Sequence, residues 1–329
     1  MVASESVTEI AVRTEQVTEV ATGSLPDDST VPHGTRTVRP YVWMLLGAAA
    51  FGTMGALAHA AGERQIEWQI IAAARAIIPL TLAGAMAMWS GVRLVFWRPW
   101  TLWQRSLAGS CSLVCTFYSL TQLPVADVLT LTNLYPVWVG LLSWPLLGHL
   151  PTRDIWFATV VGIVGVVLIQ QPHLAEGNMA TMFAVIASFS SGVAMIGLHQ
   201  LHAIDPRAIV FHFSAVALLF CLVALFGFGH RPDTSHLLEP HSVLLLVGVG
   251  ISATFGQFFL TLAFLEGHPA KVSVVGLSQV GFGIAFDVLI WHRSFQLLTL
   301  AGIALVLAPT AWLLVRRGEV QPEIELGAD

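Results

Sequence analysis

The chain has 329 residues, of which 55% are hydrophobic and only 11% are charged, and its mean hydropathy is +0.74. A soluble domain carries about 25% charged residues, so this composition excludes an ordinary soluble protein and indicates an integral membrane protein. The net charge of −5 comes largely from the tails, and nothing in it suggests a nucleic-acid partner.

Residues 1–40 contain no apolar stretch of the kind found in a signal peptide, and we expect a disordered cytoplasmic tail there. Apolar segments of helix length follow, and a second cytoplasmic tail is predicted at 316–329. The predicted membrane-spanning helices are ten: 41–61, 67–89, 105–122, 125–147, 155–172, 179–200, 207–228, 243–264, 270–291 and 297–315.

The basic residues predict the orientation of these spans. With both termini in the cytoplasm, eleven arginines and lysines lie inside and three lie outside, which is a clear positive-inside bias. Five predicted helices precede His173 and five follow Gly177, so the second half starts from the opposite side of the membrane. The inside set is Arg13, Arg36, Arg39, Arg93, Arg98, Arg105, Arg153, Arg207, Lys271, Arg316 and Arg317.

A repeated module also indicates an internal duplication. The stretch Leu123–His149 has an echo at His268–His292, and each copy opens near a proline and ends in a histidine. The separations from Pro136 and from Gln279 to the closing histidines are both 13 residues. Duplicated halves of opposite direction are typical of transporters. The predicted domains are a first repeat at 41–172 and a second repeat at 179–315.

Several segments carry a resemblance to a known family. They are IIAAARAIIPL, FYSLTQLPVADVLTLTNLYPVWVGLL, LLGHLPT, FFLTLAFLEGHPAKVSVVGLSQV and LLTLAGIALVLAPTAWLL. In this order they resemble the EamA-like transporters of the drug/metabolite transporter superfamily, over residues 41–315. The resemblance implies an all-α membrane protein, with ten transmembrane helices forming two inverted five-helix repeats around a central cavity. The chain departs from the family at His149 and His292, where glutamate is common, and at Gln279, where proline is common.

Arg75 is the one basic residue left within a predicted span, about eight residues into its helix. A charged side chain at that depth is costly unless it faces a partner or water. We therefore expect it to contact an anionic group of a substrate or a gating partner, the alternative being an arginine that snorkels to the outer interface. Its rough counterpart in the second half is His212, for which a gating or coupling role competes with simple packing.

Two carboxylates lie near helix ends. Asp127 is one turn inside the fourth span, where helix capping is the alternative to a role in gating or coupling. Asp287 is near the end of the ninth span, where the helix dipole disfavours it, so a specific partner or proton coupling is expected.

The middle of the repeated module is polar in both copies. Asn133 and Tyr135 occupy it in the first copy, and Ser278 and Gln279 in the second. These groups donate and accept hydrogen bonds, so we predict that they bind substrate; polar contacts between helices are the alternative. The aromatic residues predicted to line the same cavity are Phe117 and Trp138.

No motif for a hydrolase, a metalloprotease, a nucleotide or a dinucleotide is found, so neither enzymatic activity, a cofactor nor a metal is predicted. The resemblance implies a secondary-active exporter in the inner membrane, moving small organic metabolites such as amino acids or their derivatives by alternating access. An importer of a metabolite or vitamin-like solute is one alternative, and a non-transporting membrane binding or assembly protein is another. The expected partners are a small-molecule substrate and the lipid bilayer, with a homodimer left open.

Overall fold

The computed structural model describes residues 38–123, 125–148, 150–170, 179–227, 237–291 and 297–315. Within these ranges the chain forms twelve α-helices and no strand, which confirms the all-α class. The helices are α1 (Arg39–Glu63), α2 (Trp68–Trp89), α3 (Trp100–Gln122), α4 (Val125–Thr132), α5 (Tyr135–Leu147), α6 (Arg153–Gln170), α7 (Met179–His199), α8 (Pro206–Gly227), α9 (Pro240–Glu266), α10 (Pro269–Gly276), α11 (Ser278–Trp291) and α12 (Leu297–Val315).

Most predicted spans coincide with a helix to within three residues at each end. In the described ranges, six segments are long and apolar enough to cross a membrane, judged by length and composition. They are α1, α2, α7, α8, α9 and the segment Pro269–Phe286 of α10 and α11. The total of ten crossings stays a prediction.

Two predicted spans are each divided into two helices. The fourth span becomes α4 and α5, because Pro136 lies in the first turn of α5 and cannot donate a backbone hydrogen bond to the preceding turn. The ninth span becomes α10 and α11, which meet at Leu277 directly after Gly276. A side chain at Gly276 would meet Met44 and the hydroxyl of Tyr135, so close packing requires the glycine there. Both breaks fall in the middle of the repeated module.

The start of the third span was predicted five residues too late. α3 begins at Trp100, so Arg105 lies in its second turn and not at its cytoplasmic start. Its side chain is only 1% exposed. Removing Arg105 from the inside set leaves ten basic residues inside against three outside, and the predicted orientation is unchanged.

The helix contacts follow an approximate two-fold relation between the halves, in which each of α1 to α6 corresponds to the helix six positions later. α1 packs along α9, and α7 packs along α3; α2 contacts α9, and α8 contacts α3. α1 contacts α11, and the corresponding pair, α7 and α5, is also in contact. Two further contacts join corresponding helices of the two halves, namely α2 with α8 and α6 with α12. The substrate path expected between the halves is therefore bounded mainly by α1, α2, α3 and their counterparts.

One contact breaks this relation. α5 packs on α10, but the corresponding pair, α11 and α4, makes no comparably extensive contact between described residues. α10 also packs on α6, whereas α4 does not pack to that extent on α12. The molecule is therefore more tightly closed at the end where α5 and α10 meet.

Candidate substrate site between the two halves

Arg75 lies on α2 beside a small cavity lined by four helices from both halves. Its guanidinium is 5.9 Å from the ring centre of Phe51, and it forms no ion pair or hydrogen bond with any described residue. The cavity has a volume of about 10 Å³, enough for roughly one water molecule. Its lining consists of Arg75, Ala76, Pro79, Leu113, Phe213, Ser214, Ala217, Ala253 and Gln257.

Pro79 adds a free acceptor to the donors around this cavity. It lies inside α2, four residues after Arg75. Because proline has no backbone N–H, the carbonyl of Arg75 lacks its usual helical donor. The motif IIAAARAIIPL therefore places a side-chain cation with no described partner and a carbonyl that lacks its helical donor on the same residue.

Gln257, on α9, is the second polar side chain of the cavity. It is 6% exposed, and its Nε2 is buried with no hydrogen-bond partner among the described residues. Sequence reasoning missed it, although a single amide within the apolar run of α9 was a usable signal. Arg75 from the first half and Gln257 from the second thus line the same cavity, and their side-chain N–H groups have no hydrogen-bond acceptor among the described residues.

The apolar part of the site contains one residue that the sequence predicted. Phe117 stacks on Trp68, with ring centres 5.7 Å apart and planes 13° apart. Both rings pack against a buried cluster that includes Leu113 and Phe213, which line the cavity. Phe117 thus lies next to the cavity and is not among its lining residues.

The predicted site residues at the break between α4 and α5 are engaged in contacts with the protein itself. Nδ2 of Asn133 donates to the carbonyl of Leu129 at 2.7 Å. The hydroxyl of Tyr135 donates to the carbonyl of Ser273 at 3.0 Å, which joins α5 to α10. Trp138 was predicted to line the cavity; its Nε1 donates to Oγ of Ser188 on α7 at 2.9 Å, and its ring packs edge-on against Phe189.

The second break has free polar groups. Oγ of Ser278 is fully buried and has no partner among the described residues, while Gln279 is half-buried and forms no described hydrogen bond. Arg75 lies against Phe51, whereas Tyr135 and Gly276 lie beside Met44, on the same helix α1. Met44 and Phe51 are seven residues apart on α1, which corresponds to about 10 Å along the helix axis. The structure therefore places the predicted site residues at two depths.

Of the three residues predicted for gating or coupling, His212 is the one whose side chain the structure describes. His212 is buried, with Nδ1 hydrogen-bonded to Oγ of Ser106 at 2.8 Å and its ring edge-on against Trp103. Asp127 belongs to α4 and Asp287 to the last turns of α11, and both side chains lie outside the described part of the structure. His149 and His292 lie outside the described residues as well.

Comparison with known proteins was made on sequence and on fold. The model of the EamA-like transporter family matches residues 38–171 and again 178–315. The Pseudopaline exporter CntI of Pseudomonas aeruginosa is 30% identical over 207 residues, covering 61% of this chain and 70% of the relative. An uncharacterized transporter of Helicobacter pylori is 25% identical over 206 residues, covering 62% of this chain and 69% of the relative.

More distant matches agree with these. The human solute carrier family 35 member G1 is 21% identical over 227 residues, covering 65% of this chain and 61% of the relative. A solved crystal structure superposes with a TM-score of 0.68 at 18% identity, covering 85% of this chain and 97% of the other, a likeness of fold alone. The family match confirms the resemblance seen in the sequence, and the family and named relatives are transporters and not enzymes.

Proposed function

Because this chain belongs to the EamA-like transporter family, we propose that it is a secondary-active exporter of small organic metabolites that carry an acidic group, such as amino acids or their derivatives. The observation that carries this proposal is the convergence of Arg75 and Gln257 on one cavity between the halves. Neither side chain has a hydrogen-bond partner among the described residues.

A carboxylate is the ligand that fits these donors best. An arginine can bind both oxygens of a carboxylate, and the amide N–H₂ of Gln257 can donate to one of them. A half-buried cation within a helix bundle with no described counter-charge is costly, so an anionic ligand would offset that cost. The aliphatic and aromatic lining from Leu113, Phe213 and Ala253 suits the apolar part of a small metabolite.

Alternating access is supported by the asymmetry of the two broken helices. α5 and α10 are packed together, while α4 and α11 lack the corresponding contact in the described ranges. The cavity at Arg75 has room for about one water molecule, so a substrate requires the surrounding helices to separate. We propose that the repeats 41–172 and 179–315 exchange these packings, with both termini in the cytoplasm of a cell with an inner membrane.

Export is favoured over uptake because a 30% identical relative is named an exporter. An importer of the same fold and a non-transporting binding protein remain the competing functions. Everted and right-side-out vesicles would separate export from import by the side from which substrate accumulates.

The central test is counterflow in proteoliposomes with a panel of amino acids and N-substituted amino acids. We expect counterflow with a carboxylated solute, and a loss of about tenfold or more in Arg75→Gln, because a charge-assisted hydrogen bond is removed. The matched control is Arg93→Gln, which removes an exposed arginine and should transport normally. Full activity of Arg75→Gln would refute the site, and ligand-induced thermal stabilisation without counterflow would indicate a binding protein.

A further inference from the structure

Arg105, on α3, is a second buried cation close to the proposed site. It is 1% exposed and among the largest fully buried side chains of the described structure. Its guanidinium carbon lies 4.2 Å from the ring centre of Phe213, and its Nε is buried without a hydrogen-bond partner among the described residues. No described carboxylate forms an ion pair with it. Stacking on Phe213 offsets part of the cost of burial but gives the Nε–H no acceptor among the described residues.

The direction of the Arg105 side chain is opposite to that of a snorkelling arginine. Arg105 is the sixth residue of α3, about 8 Å from the helix start. Side chains on a helix point back toward its N-terminus, and an arginine near a membrane surface extends toward water. Here one terminal nitrogen lies against Gly109, a full turn further along the helix. The charge is therefore directed toward the middle of the bundle.

The local sequence leaves room for this conformation. A side chain at Gly109 would overlap both the guanidinium of Arg105 and the ring of Phe213. On the other side, Gly197 of α7 lies against the backbone of Arg105. Two glycines and one aromatic ring from three helices thus hold the buried cation in place.

Arg105 and the cavity beside Arg75 share one aromatic ring. Phe213, which covers Arg105, also lines the cavity beside Arg75. Two cations this close to one ring, one half-buried and one buried, have no described counter-ion, and a ligand with negative charge at both would supply one to each.

We propose that Arg105 is a second anion-binding residue, so that the transported solutes carry two acidic groups, one bound by Arg75 and the other by Arg105. This inference rests on the proposed transport function and narrows its substrate class to dicarboxylic metabolites, including acidic amino acids and their N-substituted derivatives. Phe213 forms the wall that the two subsites share.

The test compares each diacid with its own half-amide on purified protein: succinate with succinamate, and L-glutamate with L-glutamine. Apparent affinity is read from thermal stabilisation, and transport from counterflow in proteoliposomes. In the natural protein the diacid should bind about tenfold tighter than the half-amide or more, because one charge-assisted contact is gained. Arg105→Gln should abolish this preference and keep half-amide binding, whereas Arg93→Gln should keep the preference.

The stability of the ligand-free protein gives an independent readout. An arginine held for a ligand is unpaired when the site is empty, so Arg105→Gln should melt at or above the temperature of the natural protein. A purely structural arginine would instead give a lower melting temperature and an unchanged preference. Arg105→Lys keeps the charge but loses the planar fork, and should retain part of the preference even if the glutamine variant folds poorly.

Each outcome decides one of the two proposals. Equal binding of diacid and half-amide by the natural protein, including no binding of either, would overturn the second subsite. The same holds if Arg105→Gln keeps the preference. Counterflow of a monoacid with no diacid preference would leave the proposed function standing alone, while absence of counterflow for every solute would refute transport itself.

Discussion

α4 and α10 occupy equivalent places in the two halves, yet their surroundings differ. Seven of the eight residues of α10 are buried, and the helix packs on α1, α5, α6 and α12. α4 packs mainly on α7 and α6, and two of its described side chains, Leu129 and Thr132, are only half-buried. A chain with nearly symmetric helix contacts thus adopts a locally asymmetric packing. Such a molecule can reach a second state by exchanging the two packings, which is what alternating access requires.

The chemistry of the two halves differs too. The half-buried Arg75 and the buried Arg105 both come from the first half. The second half supplies the ring of Phe213 and the amide of Gln257. The helix scaffold has therefore kept its two-fold pattern while the charges have not, so a ligand would be held by cations from one half and by neutral groups from the other.

The contact between α6 and α12 joins corresponding helices of the two halves. It should therefore be unaffected when the packings of α4 and α10 are exchanged. Gly165 and Gly302 approach closely there, and a Cβ on either would lie 2.8 Å from the carbonyl oxygen of the other. Gly165→Ala and Gly302→Ala should each reduce the free energy of unfolding by about 1–3 kcal/mol, because the helices must move apart.

Thermal unfolding in detergent measures this loss. Gly55→Ala and Gly283→Ala are matched controls, since nothing lies within 4 Å of the added Cβ at either position. Equal damage at the controls would show that close approach is not what α6 and α12 require.

Thiol labelling can sharpen the comparison between α4 and α10 directly. Thr132 and Val275 are equivalent by the 143-residue offset between Pro136 and Gln279. Val275 is 0% exposed, whereas Thr132 is half-buried beside the break. In a background without Cys111, Cys115 and Cys221, Thr132→Cys should react with a water-soluble maleimide about tenfold faster than Val275→Cys or more.

A transported solute should bring these two rates closer, because turnover populates the state in which the packings are exchanged. Equal rates without solute would mean that the closed end seen here does not dominate in solution. An unchanged ratio during transport would contradict exchange between the halves.

Much of the fold followed from the sequence because the spans are continuous apolar runs with short breaks. The helix starts were less predictable: the third span was predicted to begin at Arg105, whereas α3 begins at Trp100. Only the packing of Gly109 and Phe213 shows that the charge of Arg105 points inward, and Phe213 is distant from Arg105 in the chain.

The candidate site was predictable only in part, because contacts between distant parts of the chain also decide which polar side chains face a cavity. Arg75 stands out in any hydropathy profile, and the structure does place it on a cavity. The polar pair Asn133 and Tyr135 stood out equally, yet both side chains are bonded to backbone carbonyls. The sequence identifies a polar side chain that is costly to place in an apolar helix. Whether that side chain contacts a ligand or a backbone carbonyl depends on neighbours from other helices.

The hydroxyl of Tyr135 offers the smallest and most specific perturbation of the closed end. It donates to the carbonyl of Ser273 and so joins α5 to α10, a bond without a described counterpart between α11 and α4. Tyr135→Phe removes about 1 kcal/mol of hydrogen bonding from one of the two packings, which corresponds to roughly a fivefold change in their ratio. Labelling of Val275→Cys should therefore accelerate by about that factor.

The control is Ser188→Ala, which removes a bond of similar length from Trp138 to α7 and leaves the α5 to α10 contact intact. If both changes accelerate labelling equally, the effect is general loosening; if neither does, the Tyr135 bond does not hold that end closed.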